Sequence, residues 1–466
     1  MQEKVNQADD KTLKRSVLIV TSFAAFLTPF LGSAINLALP AIAKDFNTTA
    51  IELGWIASSF ILSSVIFLLP FGRLADIVGR KKIFTYGISL FTLSTSLIIF
   101  SWNIESLIIF RIFQGISAAM IFGTSLAILT SVFGPGERGR AMGINITAVY
   151  TGLSGGPVIG GLLTQHFGWR SIFVFLIPFG FVSLYLIFRK MRLEWVEAKD
   201  EKFDWKGSVI YGVSIASAMY GFSKLPSAAG WIFLGSGVVF GLLFLFFERG
   251  IDNPVFDIRL ILRNRVFAFS GLAALIHYSA TSAIGFFISL YLQYLKGLDP
   301  RSAGFIMISQ PVMMALLSPL AGKLSDKYNP GVIASIGMGL TATGLIMLCF
   351  LTATSPVYMI VGLLIIMGIG FGLFSSPNSN AIMSSVEKKH LGVASGVVGT
   401  MRMVGQMLSM GIAMMLLAIY VGQVAISPAS FSGLISGMRM GFVIFSILCI
   451  IGIFASLARN NKLNSK

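Results

Sequence analysis

Three side chains sit where an apolar chain has least room for charge. Arg111 and Arg402 lie inside long apolar runs, and His277 lies in the middle of another. On insertion scales an arginine inside a bilayer costs about 3 kcal/mol, so each needs a partner, a carbonyl or a wet cavity. The chemistry on offer is charge pairing, with a group of the chain or of a ligand. A histidine, with an unperturbed pKa of about 6.5, can carry a proton near neutral pH, or it can be a hydrogen-bonded core residue. None of the 19 Asp and Glu residues falls in the middle of an apolar run; Glu52, Glu105 and Glu248 stand at run ends. An intramembrane carboxylate is the usual partner of a lipophilic cation and the usual proton carrier. Its absence points to a ligand that is neutral, zwitterionic or anionic. It also leaves Arg111, His277 and Arg402 as candidates for coupling.

Other chemistries lack their residues. The two cysteines, Cys349 and Cys449, both lie in apolar runs, with no CxxC or Cys/His cluster. No metal spacing, nucleophile–base constellation or P-loop appears. The expectation is no enzyme, no metal, no cofactor and no ATP-driven step.

The elements that position these residues follow from composition. Of 466 residues 55% are hydrophobic and only 12% charged, and the mean hydropathy is +0.83. Such a chain cannot cover a globule with polar surface, so its solvent is lipid. A span needs about 20 apolar residues. Runs of that kind fall at 16–40, 51–71, 83–101, 105–133, 140–164, 170–188, 207–224, 230–247, 266–293, 302–321, 332–352, 356–376, 391–421 and 434–457. The first is too long for the apolar core of a removed signal.

The net charge of +16 does not indicate nucleic acid, because the basic residues are scattered among short loops. Of 35 Lys and Arg, 27 lie in the even-numbered gaps and at the termini. Five lie in the odd-numbered gaps: Lys44, Arg170, Lys224, Lys296 and Arg301. The positive-inside bias places both termini in the cytoplasm of a cell-membrane protein and requires an even number of spans. The longest inner loop, 189–206, carries both signs of charge and reads as solvated.

The halves repeat. Gly72-Arg73-Leu74-Ala75-Asp76 follows the second run and Gly322-Lys323-Leu324-Ser325-Asp326 follows the tenth, an offset of 250 residues or eight runs. The expected architecture is an all-α polytopic membrane protein: a six-helix bundle over 1–190, inner loops with two inserted helices over 191–265, and a second six-helix bundle over 266–466. Internal duplication of this kind marks transporters, with the binding site near mid-membrane between the halves.

At these motifs the chain resembles the major facilitator superfamily, in its fourteen-helix drug:proton antiporter branch. Gly72 to Lys82, with Asp76, Gly79 and Arg80, is similar to the family's inner-gate loop, and Gly322 and Asp326 to its second copy. The resemblance implies that Arg111, in the fourth run, lies near the proton pathway. Gly152, Gly156, Pro157, Gly160 and Gly161 resemble the pattern that marks exporters. Asn36 and Ala38-Leu39-Pro40 match the branch's first helix, but Leu31 stands where the branch has an Asp. Arg402, Gly405, Gln406 and Gly411 resemble its thirteenth. The resemblance implies alternating access by a single chain, functional as a monomer. It would export drug-like or amphipathic small molecules, coupled to protons, or else carry a specific neutral or anionic metabolite. Candidate cavity groups are Asn36, Gln114, Asn145, Tyr150, His277, Gln293, Gln310, Asn378 and Gln406.

Overall fold

The computed structural model describes residues 2–191, 193–199, 201–251, 254–256, 258, 264–386 and 391–459. Outside them lie Arg192 and Asp200 of the first long loop, Lys388, Lys389, Lys462 and Lys466, and most of the segment from 252 to 263. The described residues form helices and no strands.

The helices are α1 (Gln2–Phe46), α2 (Ala50–Val78), α3 (Arg80–Ile99), α4 (Ile104–Val132), α5 (Pro135–Phe167), α6 (Ser171–Lys190), α7 (Trp205–Lys224) and α8 (Ala228–Glu248). Six more come after these: α9 (Arg265–Leu295), α10 (Pro300–Lys327), α11 (Pro330–Leu348), α12 (Val357–Ser384), α13 (Leu391–Tyr420) and α14 (Phe431–Ala458). Local chemistry fixes many starts. Thr49 and Glu52 cap α2 reciprocally, Asn103 and Ser106 do so for α4, and Asp299 with Pro300 opens α10. Helix α1 begins fourteen residues before its apolar run, because its polar first turns stay helical.

Thirteen helices among the described residues are long and apolar enough to cross a membrane. The remaining one, α7, has 20 residues, diluted by serines and glycines. It packs along α8 and against α2 and α13.

Two spans are discontinuous. Helix α9 breaks after Thr281 and ends in a π-helical turn over Tyr291–Leu295. The freed N–H of Ala283 donates to Ser409 Oγ at 2.9 Å. Helix α10 breaks at Ile308, where Pro311 has no N–H to return to the preceding turn.

The packing repeats as the sequence does. In the first half α1 packs on α4, α5 and α6, α3 on α4 and α6, and α2 on α4. The same six pairings recur eight helices later. Between the halves, α5 meets α10 and α2 meets α13, two contacts that exchange under the same pseudo-twofold, while α1 meets α9. The side on which α1 begins and α14 ends is termed the terminal face, and the opposite side the far face.

Candidate functional site

Near mid-membrane, four helices of the second half and one of the first bring polar groups together. Arg402 of α13 lies over the ring of Tyr278 of α9, at 5.4 Å. Tyr150 of α5 donates to Ser318 Oγ of α10 at 2.7 Å, and it is within electrostatic reach of Arg402, Tyr278 and Ser375. No carboxylate pairs with Arg402 among the described residues. Gln406 stands one turn further along α13, half-buried. The group is a cation and two phenols with hydroxyls around them. It suits an anionic or neutral hydrogen-bonding ligand with an aromatic or apolar body.

The far side of this centre is closed. Asn36 C=O of α1 accepts from Ser289 Oγ of α9 at 2.5 Å, and Ala50 N–H donates to Val424 C=O at 3.0 Å. The glycines of α5 account for the rest. Gly152, Gly156 and Gly160 share one stripe, and α1 lies in it: a Cβ at 152 would meet Phe26 C=O at 2.5 Å, at 156 Phe30 C=O at 2.7 Å, and at 160 Ala34 Cβ at 2.6 Å. Gly161 faces the other way, where a Cβ would overlap Pro300 C=O of α10. Pro157 C=O in turn fills the space a Cβ would need at Gly304. One short motif is thus both a seam within the first half and the joint between halves. Toward the terminal face α5 borders open space: Gly139 and Gly143 have no heavy atom within 4 Å of where a Cβ would be.

The gate loop of the first half is clasped by the α6–α7 loop. Arg80 forks onto Glu197 at 2.6 and 2.7 Å, and its Nε donates to Asp76 Oδ1 at 2.8 Å. The loop also serves the helix ends. Asp76 C=O, near the end of α2, accepts from the N–H groups of Glu197 (3.1 Å) and Ala198 (2.9 Å). Arg80 N–H, the first of α3, donates to Trp195 C=O at 2.9 Å. Gly79 has φ of +126°, and a Cβ there would meet the Glu194 carboxyl at 2.7 Å. Arg73 pairs with Glu201. The loop is therefore docked rather than solvated, because Glu194, Glu197 and Glu201 face Lys81 N–H, Arg80 and Arg73. The second copy is simpler. Asp326 accepts from Asn380 at 3.3 Å, Gly322 packs on Ser376, and Pro330 stands where Arg80 stands in the first copy.

Several sequence candidates are bonded elsewhere. Arg111 is 1% exposed: Nε donates to Ile56 C=O at 3.2 Å, one nitrogen to Gln114 Oε1 at 2.9 Å, and the group lies over Phe60. Gln114 passes the chain to Thr95 at 2.8 Å. This is a closed network among α2, α3 and α4, so Gln114 lines no cavity. His277 is wholly buried against Phe374, with ring centroids 4.0 Å apart, and Cys449 Sγ is 4.0 Å from Nδ1. That places it in the second half's core. Asn378 donates to Ser270 C=O and accepts from Arg459, which also reaches Ser270 Oγ and Pro330 C=O. Asn145 holds Thr21 C=O of α1 at 3.0 Å. Gln293 bonds Ser289 at the far joint. Gln310 stands half-buried just past the α10 break, with its backbone against Gly368.

Sequence reasoning missed Arg459 and the acidic face of the α6–α7 loop. Arg459 carried no signal, standing just past a run's end. The loop did: Glu194, Glu197 and Glu201 recur at helical spacing opposite a basic motif.

The family description Major Facilitator Superfamily matches residues 21–410. The riboflavin transporter RibZ of Clostridioides difficile is 32% identical over 390 residues, covering 83% of this chain and 84% of that one. The multidrug resistance protein Stp of Mycobacterium tuberculosis is 29% identical over 395 residues, covering 83% and 73%. Among solved structures, a bacterial homolog of the human lysosomal transporter Spinster, inward-facing and unoccupied, superposes with a TM-score of 0.69 at 17% identity, covering 96% of this chain and 97% of that one.

Proposed function

Because the chain belongs to the major facilitator superfamily, and is a membrane transporter rather than an enzyme, we propose that it exports neutral or anionic amphipathic molecules by alternating access. One observation carries this reading: Arg402 over Tyr278 at the meeting of the halves, with no carboxylate paired to it among the described residues. A lipophilic cation would meet an unpaired positive charge there, while an anion or a planar ring gains from it. The direction rests on the α5 glycine motif and its resemblance to exporters.

The positive-inside bias of the basic loops supports a cytoplasmic terminal face in a cell membrane. With the far side closed and open space beside Gly139 and Gly143 of α5 on the terminal side, the molecule is then loaded from within. Rocking of the halves about the α5–α10 and α2–α13 contacts moves the centre from one face to the other. Proton antiport supplies the driving force in this proposal, and the single chain suffices.

A second reading is transport of one specific metabolite. The similarity to a protein named as a riboflavin transporter favours it, since an aromatic ring system suits the same cation and phenols.

The test is proton flux in proteoliposomes holding an internal pH dye, challenged in turn with cationic, neutral and anionic amphiphiles. Flux with neutral or anionic compounds, lost in Arg402→Gln, is expected. Flux driven by cations alone overturns the charge assignment. Substrate movement without proton movement removes the antiport step.

A further inference from the structure

The inserted helices carry two carboxylates that the transport proposal does not use. Asp204 caps α7, its Oδ1 accepting from Gly207 N–H at 2.9 Å. Glu248 ends α8, and its Oε2 accepts from Phe256 N–H at 3.2 Å. The other oxygen of each, Asp204 Oδ2 and Glu248 Oε1, is buried and has no hydrogen-bond partner. These two orphaned oxygens converge: a Cβ on Gly207 would overlap both, and the carboxyls are within hydrogen-bonding range of each other. Glu248 is 1% exposed.

Two facing carboxylates with no cation between them cannot both be ionised at low cost. Among the described residues no cation is paired with either carboxylate. Lys202 and Lys206 are exposed, Arg249 has an interaction of its own, and Lys224 lies at the other end of α7. Tyr211 of α7 donates to Val65 C=O of α2. Neither carboxylate forms an ion pair among the described residues.

We propose that Asp204 and Glu248 form a proton-binding site, one proton held between Asp204 Oδ2 and Glu248 Oε1, that fastens α7 to α8 at the terminal face. The consequence reaches the transport machinery through α7. Besides the Tyr211 bond to α2, Phe222 of α7 packs 2.8 Å from where a Cβ would stand on Gly411 of α13. Helix α7 therefore bridges the two halves at the α2–α13 seam, and the proton sets how firmly its first turn is held. Loss of the proton leaves two facing negative charges and loosens that turn.

The test is pH-difference infrared spectroscopy on the full chain in liposomes, from about pH 5 to about pH 9. A protonated-carboxyl band that titrates in the wild type and is lost in Glu248→Gln is expected. In Asp204→Asn the band belongs to Glu248 alone and its midpoint falls by about one unit or more. A second readout is the thermal midpoint in detergent. The folded pair keeps a proton that the unfolded chain releases, so the midpoint falls as pH rises through the pair's titration, and it stays flat in Glu248→Gln. Identical difference spectra for wild type and Glu248→Gln overturn the proposal. So does an unmoved midpoint in Asp204→Asn, because Glu248 then titrates without its neighbour. If Glu248→Gln fails to fold, Asp204→Asn decides alone.

Discussion

Arg80 and Glu197 form a two-pronged ion pair that ties the turn between α2 and α3 to the loop after α6. The partners differ in setting: the Arg80 side chain is 10% exposed and that of Glu197 64%. Removing them therefore has unequal effects. Glu197→Ala is expected to lower stability by about 1 kcal/mol or less, as for exposed pairs. Arg80→Ala also strips the partly buried Asp76 carboxylate of its ion-pair partner, at about 3 kcal/mol. Thermal unfolding of the two variants in detergent measures the difference; equal losses contradict it.

The glycines of α5 differ in what they face. Gly156→Ala places a methyl 2.7 Å from Phe30 C=O, a backbone atom of α1 that cannot step aside. It is expected to cost about 2 kcal/mol or more. Gly155→Ala meets only the Ile159 side chain at 3.5 Å and should be nearly neutral. Expression and melting of the pair give the answer.

Gly161→Ala probes the joint between the halves, because its Cβ would overlap Pro300 C=O across the seam. The halves remain packed internally, so stability should change by less than about 1 kcal/mol, while closure of the far face is hindered. Cysteine accessibility on the far face, read by a membrane-impermeant thiol reagent on an introduced cysteine, should rise several-fold. Unchanged labelling contradicts this.

His277 is enclosed by Phe371, Phe374 and Tyr278 rather than facing the centre. His277→Ala is expected to lower stability by about 2 kcal/mol or more through the cavity it leaves. The pH dependence of transport should keep its midpoint. A shifted midpoint with unchanged stability would return His277 to the proton pathway.

Arg402→Gln is expected to reduce transport of anionic substrates about tenfold or more, and to leave the melting temperature within a few degrees of wild type. Half-buried beside Tyr278 and without an ion pair among the described residues, Arg402 has little to contribute to the fold. A collapse of stability in this variant would assign it a structural role instead.

The sequence by itself determined the helical spans and the eight-helix offset of the repeat. Both follow from the length of apolar chain a bilayer demands and from basic residues kept to one side of it. The G-x-L-x-D turns and the glycines of α5 were legible because close turns and close crossings need particular residue types. The assignment of polar groups was not. Arg111 reads as a coupling group and Gln114, Asn378 and Asn145 as cavity groups in a linear chain, yet each is held by a polar group of another helix. A buried polar group takes whichever partner the packing brings within about 3 Å, and residues 55 or 124 positions apart become partners only when helices cross. The docked α6–α7 loop and the closed far face belong to the same class, since both depend on long-range contacts that no local pattern encodes.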